Sequence, residues 1–248
     1  MRLTRSSNPV FNKTRLENAM RTETVSGEVM TVNGSITKTA ILFLLLLVTA
    51  SFSWKLVESG TSMITVVLPG VIGGLILALV TIFRPQYAAY TAPAYALFEG
   101  LAVGGISAFY ASFYQGIVIQ AVGLTLSILF VMLLLYRTGV LKATPIFRRG
   151  VIIATGGVAV FYILNMIFSL FGGGISLFNF GLLGIGIQLA IVVIASMNLI
   201  LDFDNIEKGA QAGMPKFMEW YSGFGLMVTL VWLYLELLRL LALISGRR

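Results

Sequence analysis

Three groups of ionisable side chains lie within or at the ends of the apolar runs of this 248-residue chain, and they are the first candidates for any chemistry. Glu99 stands alone in the run Tyr95-Ala96-Leu97-Phe98-Glu99-Gly100. An ionised carboxylate in hydrocarbon costs a few kcal/mol. Such a group faces other helices or a watery cavity, or it keeps its proton. It is either a functional carboxylate or one tied by a hydrogen bond to a polar residue of another helix, with Asn165 and Gln188 as the candidates. The second group is Leu201-Asp202-Phe203-Asp204-Asn205-Ile206-Glu207, where a long apolar stretch meets polar sequence. On a helix, Asp202 and Asp204 point about 200° apart and make a weak metal pair, whereas Asn198 and Asp202 share a face. The spacing does not fit an EF-hand loop, because counting from Asp202 puts Ile206, Glu207 and Gly213 where that loop needs an acidic or amide side chain, glycine and glutamate. The third group is Glu236 with Arg239, three apart and able to neutralise each other on one helix.

What is missing narrows the chemistry further. The chain has no cysteine and no histidine. Thiolate or imidazole nucleophiles, disulfides, zinc-thiolate sites and histidine pH switches are excluded. An intramembrane aspartyl protease needs two facing aspartates, and both aspartates here lie on one segment. The chain is therefore expected not to be an enzyme and to need no cofactor.

The elements that must position these groups are apolar. Hydrophobic residues make up 58% of the chain and charged ones 11%, against about 25% charged in an ordinary soluble domain. Runs near 39–57, 61–83, 88–111, 115–136, 151–171, 176–201 and 218–244 are each about the 20 residues that cross a bilayer. The expected fold class is an all-α integral membrane protein with seven transmembrane helices. Residues 1–36 are expected to be a basic, largely disordered cytosolic tail, with a short helix around Lys13–Arg21.

Lysine and arginine set the orientation. With the N-terminus inside, thirteen of the seventeen fall on the inner side, Lys55, Arg247 and Arg248 fall outside, and Arg239 lies within the last helix. The net charge of +7 thus belongs to cytosolic loops rather than to a nucleic-acid surface. Arg84-Pro85 closes the second span and reads as an inner anchor. Pro69-Gly70 inside that span predicts a kink, and Gly100, Gly104 and Gly105 predict close helix packing.

The seven spans, a sixth that ends in Leu201-x-Asp202-x-Asp204-x-Ile206, and a last helix of the form Tyr234-Leu-Glu-Leu-Leu-Arg239 together resemble the Bax inhibitor-1 family. Ser7-Asn8-Pro9-Val10-Phe11 and Ala92-Pro93-x-Tyr95-Ala96-Leu97-x-Glu99-Gly100 are similar to its bacterial branch. The resemblance covers residues from about 37 to 244. It implies a bundle whose last helix is surrounded by the other six, in a bacterial inner membrane. The implied activity is a pH-sensitive calcium leak, with calcium as the transported ion. It also implies an aspartate pair, one from each of the sixth and seventh helices, that senses pH near the cytosolic mouth, and an arginine near the end of the second helix. Asp202 matches the first aspartate and Arg84 the arginine. Ten residues back from Arg239, where the second aspartate would stand, is Thr229. The nearest carboxylates are Glu219 and Glu236, and Asp204 could supply a second charge from the same helix.

Two readings follow. One is a cation leak in which Asp202 is the principal pH-sensing and cation-contacting residue. Asp204 and Glu236 are then its candidate partners, Arg84 is the counter-charge, and Glu99, Asn165, Gln188 and Asn198 are polar groups within the membrane. The other is a membrane-embedded regulator that uses the charged tail to dock a partner such as a membrane-bound protease complex.

Overall fold

A computed structural model describes residues 28–172 and 180–246. Among these, seven helices are long and apolar enough to cross a membrane, and no strand occurs. They are α1 (Val32–Glu58), α2 (Met63–Phe83), α3 (Ala88–Phe113), α4 (Ile117–Arg137), α5 (Pro145–Leu170), α6 (Gly181–Gln211) and α7 (Met218–Ser245). A 3-10 turn at Pro85–Tyr87 leads into α3. The chain is a multi-pass membrane protein. Of the apolar windows, that of α7 is 67% buried and that of α5 only 6%. The last helix is therefore the most enclosed and α5 the one most open to lipid.

Local chemistry sets the helix ends. The Thr31 side chain caps α1 by accepting the Gly34 N–H, and Thr144 caps α5 by accepting that of Phe147, with Pro145 in the first turn. Beyond α6, Gly213 takes φ +61°, a left-handed conformation that favours glycine as a helix stop. Pro69 and Pro93 both lie inside continuous helices.

Two ends correct the sequence expectation. Residues 32–36, read as tail, are already helical, because Thr31 nucleates α1 ahead of the apolar run. Residues 1–27 of the expected tail, with the helix around Lys13–Arg21, lie outside the described residues. The sixth helix does not stop at Leu201 but continues ten residues to Gln211. Phe203, Asp204, Ile206 and Gly209 are buried there, while Asn205, Glu207 and Lys208 are exposed. That helical alternation holds the extension, although its composition is too polar for a membrane span.

The described residues form two compact units. The first comprises residues up to Gly105 together with Asn205–Met227. Its helices approach at glycines. A Cβ at Gly104 would lie 2.1 Å from the Ala50 carbonyl oxygen of α1, and one at Gly70 would lie 2.7 Å from the Ala102 nitrogen of α3. Ser53 of α1 donates to the Leu101 carbonyl at 2.6 Å, and Thr81 and Thr91 join α2 to α3 at 2.7 Å. The segment before α1 is pinned as well. The Met30 N–H donates to the Met214 carbonyl at 2.7 Å, and Met30 is buried.

The second unit comprises Ile106–Asp204 and Val228–Arg248. Its helices are joined by polar contacts. Ser107 and Tyr234 hydroxyls meet at 2.6 Å. The Asn198 amide of α6 donates to Thr155 of α5 at 2.8 Å, and Arg148 of α5 reaches Asp204 at 2.7 Å. Six residues on α6 match seven on α5, as an antiparallel pair requires.

Candidate functional site

Asp202 lies inside α6, not at its end. Thr229, on the buried face of α7, donates its hydroxyl to the Asp202 carboxylate. The other oxygen, Oδ2, is buried and has no hydrogen-bond partner. A buried oxygen without a donor costs about 1–3 kcal/mol, so this atom is a ready acceptor for a proton, a donor or a hard cation. Asn198, expected to share a face with Asp202, gives its amide to Thr155 and to the Ile194 carbonyl.

Asp204, two residues on, is buried and paired with Arg148. The pairing follows from the helical extension, which carries Asp204 around to the α5 side. Arg84 is exposed, caps the end of α2, and makes no ion pair among the described residues. No group of three or more acidic side chains that could hold a metal ion occurs among those residues.

The densest polar cluster is centred on Glu236 of α7. Its carboxylate is buried and receives donors from three helices. Tyr162 of α5 reaches Oε1 at 3.0 Å and Oε2 at 2.9 Å. Gln188 of α6 gives its Nε2 to Oε2 at 2.6 Å and to the Glu236 carbonyl at 3.0 Å. Trp232, one turn earlier on α7, donates its indole N–H at 3.0 Å. Arg239 pairs with Oε2 at 3.1 Å and also donates to the Tyr162 hydroxyl. Tyr110 of α3 bonds Arg239 in turn. Tyr162, Gln188, Trp232 and Arg239 all act as donors to this carboxylate, which accepts from each.

In the first unit, Glu99 accepts a hydrogen bond from Tyr95 one turn earlier. A Cβ at Gly74 of α2 would stand 3.3 Å from its Oε2, so the carboxyl lies against α2. Of the partners expected for it, Gln188 gives its amide to Glu236 instead. Glu219, in the first turn of α7, is buried and accepts from the N–H and the hydroxyl of Thr31 at 3.0 Å and 2.9 Å. Lys216 lies 3.5 Å from it.

Sequence reasoning missed Tyr162, Trp232 and Arg148 as site residues. Tyr162 carried a faint signal as a hydroxyl within an apolar run, one helical turn before Asn165. Arg148 looked like an anchor because its acidic partner is 56 residues away.

A model of the family described as Bax inhibitor 1 like matches residues 8–246. No curated protein and no solved structure matches the chain.

Proposed function

This chain belongs to the Bax inhibitor 1 like family, and we propose that it is a pH-sensitive calcium leak of a bacterial inner membrane, with its N-terminus in the cytosol. The observation that carries the proposal is the Asp202 carboxylate, which has one oxygen held by Thr229 and the other buried without a donor. Such an oxygen can take a proton or contact a dehydrating cation, and the two compete. A proton on Asp202 removes the charge that attracts calcium and also changes the tie to α7. In this reading Asp202 is the sensor. Asp204 is withdrawn into an ion pair with Arg148 and Glu236 forms a separate centre, while Arg84, exposed at the end of α2, is given no part as counter-charge. No catalysis and no resident cofactor are proposed.

Calcium uptake into proteoliposomes at several pH values tests the proposal. Uptake that changes with pH in the unmodified chain, and a flat profile for Asp202→Asn, are expected. A full pH response in Asp202→Asn overturns the role given to Asp202.

A second reading, regulation of a membrane protease or stress-response partner through the tail, is favoured by one observation. The base of the tail is fastened to the loop before α7 by Met30–Met214 and to the start of α7 by Thr31–Glu219. A partner on the tail would thus pull on the most enclosed helix. Deletion of residues 1–27 separates the readings, because it should leave calcium flux intact and abolish regulation.

A further inference from the structure

Among the described residues, two buried side-chain polar atoms have no hydrogen-bond partner: Asp202 Oδ2 and Gln188 Oε1. Both are oxygens and both belong to α6. Residues 188 and 202 are close to four full helical turns apart, so they share a face at about 21 Å separation. Each side chain is hydrogen-bonded to α7, Asp202 through Thr229 and Gln188 through Glu236. Ile191, Ala195 and Leu199 on the same face are 5%, 0% and 0% exposed, so the stretch between them is dry and tightly filled.

The Gln188 amide shows what the upper oxygen could do. Its Nε2 sits 2.6 Å from Glu236 Oε2 and 3.0 Å from the Glu236 carbonyl, between two acceptors, while its Oε1 faces no donor. A half-turn of the amide exchanges the two atoms. Three oxygens would then converge, from Gln188, the Glu236 carboxylate and the Glu236 main chain, with the Tyr162 hydroxyl beside them. Three acceptors around one point repel unless a cation lies between them, and oxygens of this kind are what calcium takes. In the present arrangement Arg239 supplies that positive charge.

We propose that Gln188 and Glu236 form a second hard-cation site on the α6–α7 seam, closed by Arg239. It rests on the leak reading for its place in a transport path, and the Asp202 site is the first station. Calcium and Arg239 compete for Glu236, so the site opens when the guanidinium withdraws toward Tyr110, which already bonds it.

The competition gives the variants opposite signs. Arg239→Gln frees the carboxylate and should raise calcium flux in proteoliposomes. Glu236→Gln removes the ligand, leaves an unpaired cation in the path, and should lower flux. Each change should be about tenfold, the ratio carried by one charge-assisted contact. An ion pair that only holds the fold would move both variants in the same direction, and that result overturns the proposal. Arg239→Lys, too short to keep both contacts, replaces Arg239→Gln if the latter does not fold, with the same expected sign.

Terbium binding in detergent tests the site without transport. Trp232 donates to Glu236 and can sensitise terbium luminescence there. Emission excited through tryptophan should rise in Arg239→Gln and disappear on adding Glu236→Gln, Gln188→Leu or Trp232→Phe. Emission that survives Glu236→Gln and Gln188→Leu overturns the site. Terbium binding as expected, with no calcium flux in any variant, supports the site and sinks the leak reading instead.

Discussion

The Thr229 hydroxyl of α7 donates its hydrogen bond to the Asp202 carboxylate of α6. Thr229 is the position reached by counting ten residues back from Arg239, where the family resemblance implies a second aspartate. The contact between the sixth and seventh helices is present, with a neutral donor in place of a carboxylate. A hydroxyl can hold ionised Asp202 without sharing its proton, so a single group rather than a coupled pair would titrate here.

Thr229→Val removes that donor and leaves Asp202 without its tie to α7. The expected cost is about 1–3 kcal/mol, read as a lower melting temperature in detergent. Thr229→Ser keeps the hydroxyl and should recover most of the loss. Equal melting of the valine and serine variants would show that the hydroxyl contributes nothing.

Asp202→Asn and Asp204→Asn should separate pH response from stability. The first is expected to flatten calcium flux against pH. The second should leave that profile in place and destabilise the fold by roughly 1–3 kcal/mol, because Arg148 loses a partner at 2.7 Å on a side chain that is 10% exposed. Arg148→Gln with Asp204→Asn should be milder than the sum of the two single changes, as a double-mutant cycle in thermal melts would reveal.

How much of this was legible in the sequence depends on the distance over which each feature is encoded. The seven spans are local apolar runs, and their positions follow from hydropathy alone. The extension of α6 to Gln211 is carried by a buried alternation of Phe203, Ile206 and Gly209 within polar residues, which a hydropathy count reads as loop. The Glu236–Arg239 pair is local, at three residues, and its spacing is enough to suggest it. Tyr162 and Gln188 reach Glu236 from 74 and 48 residues away. No local pattern encodes that meeting, so only the packed structure reveals it.

Glycine substitutions should fall into two classes. A Cβ at Gly104 would stand 2.1 Å from the Ala50 carbonyl oxygen, and one at Gly100 would stand 2.4 Å from that of Leu46. Alanine at either position should destabilise by about 1–3 kcal/mol, since the backbone cannot yield as a side chain can. Gly156 and Gly157 have nothing within 4 Å. Alanine there should be neutral, or stabilising by up to about 1 kcal/mol through helix propensity. Melting of the four variants in one detergent checks the ordering.

Thr31→Val takes away the cap of α1 and one of the two hydrogen bonds that Thr31 gives to Glu219. A loss of about 0.5–2 kcal/mol is expected, the usual worth of a helix cap. Hydrogen exchange should rise in the first turn of α1. Unchanged exchange there would refute the capping role.

With no native cysteine, the chain suits topology mapping by single cysteines. In intact cells, Ser59→Cys should react with an impermeant maleimide and Pro145→Cys should not. Labelling at position 145 from outside would reverse the proposed orientation.

The glycine contacts of the first unit carry a consequence for motion. Where Gly104 meets the α1 backbone and Gly70 meets that of α3, no side chain lies between the main chains to act as a bearing. Side chains can exchange rotamers and let two helices slide, but two backbones in contact have no such freedom. The three helices are therefore welded along these seams, so that a displacement of one must carry the others, and α1, α2 and the first part of α3 form one plate.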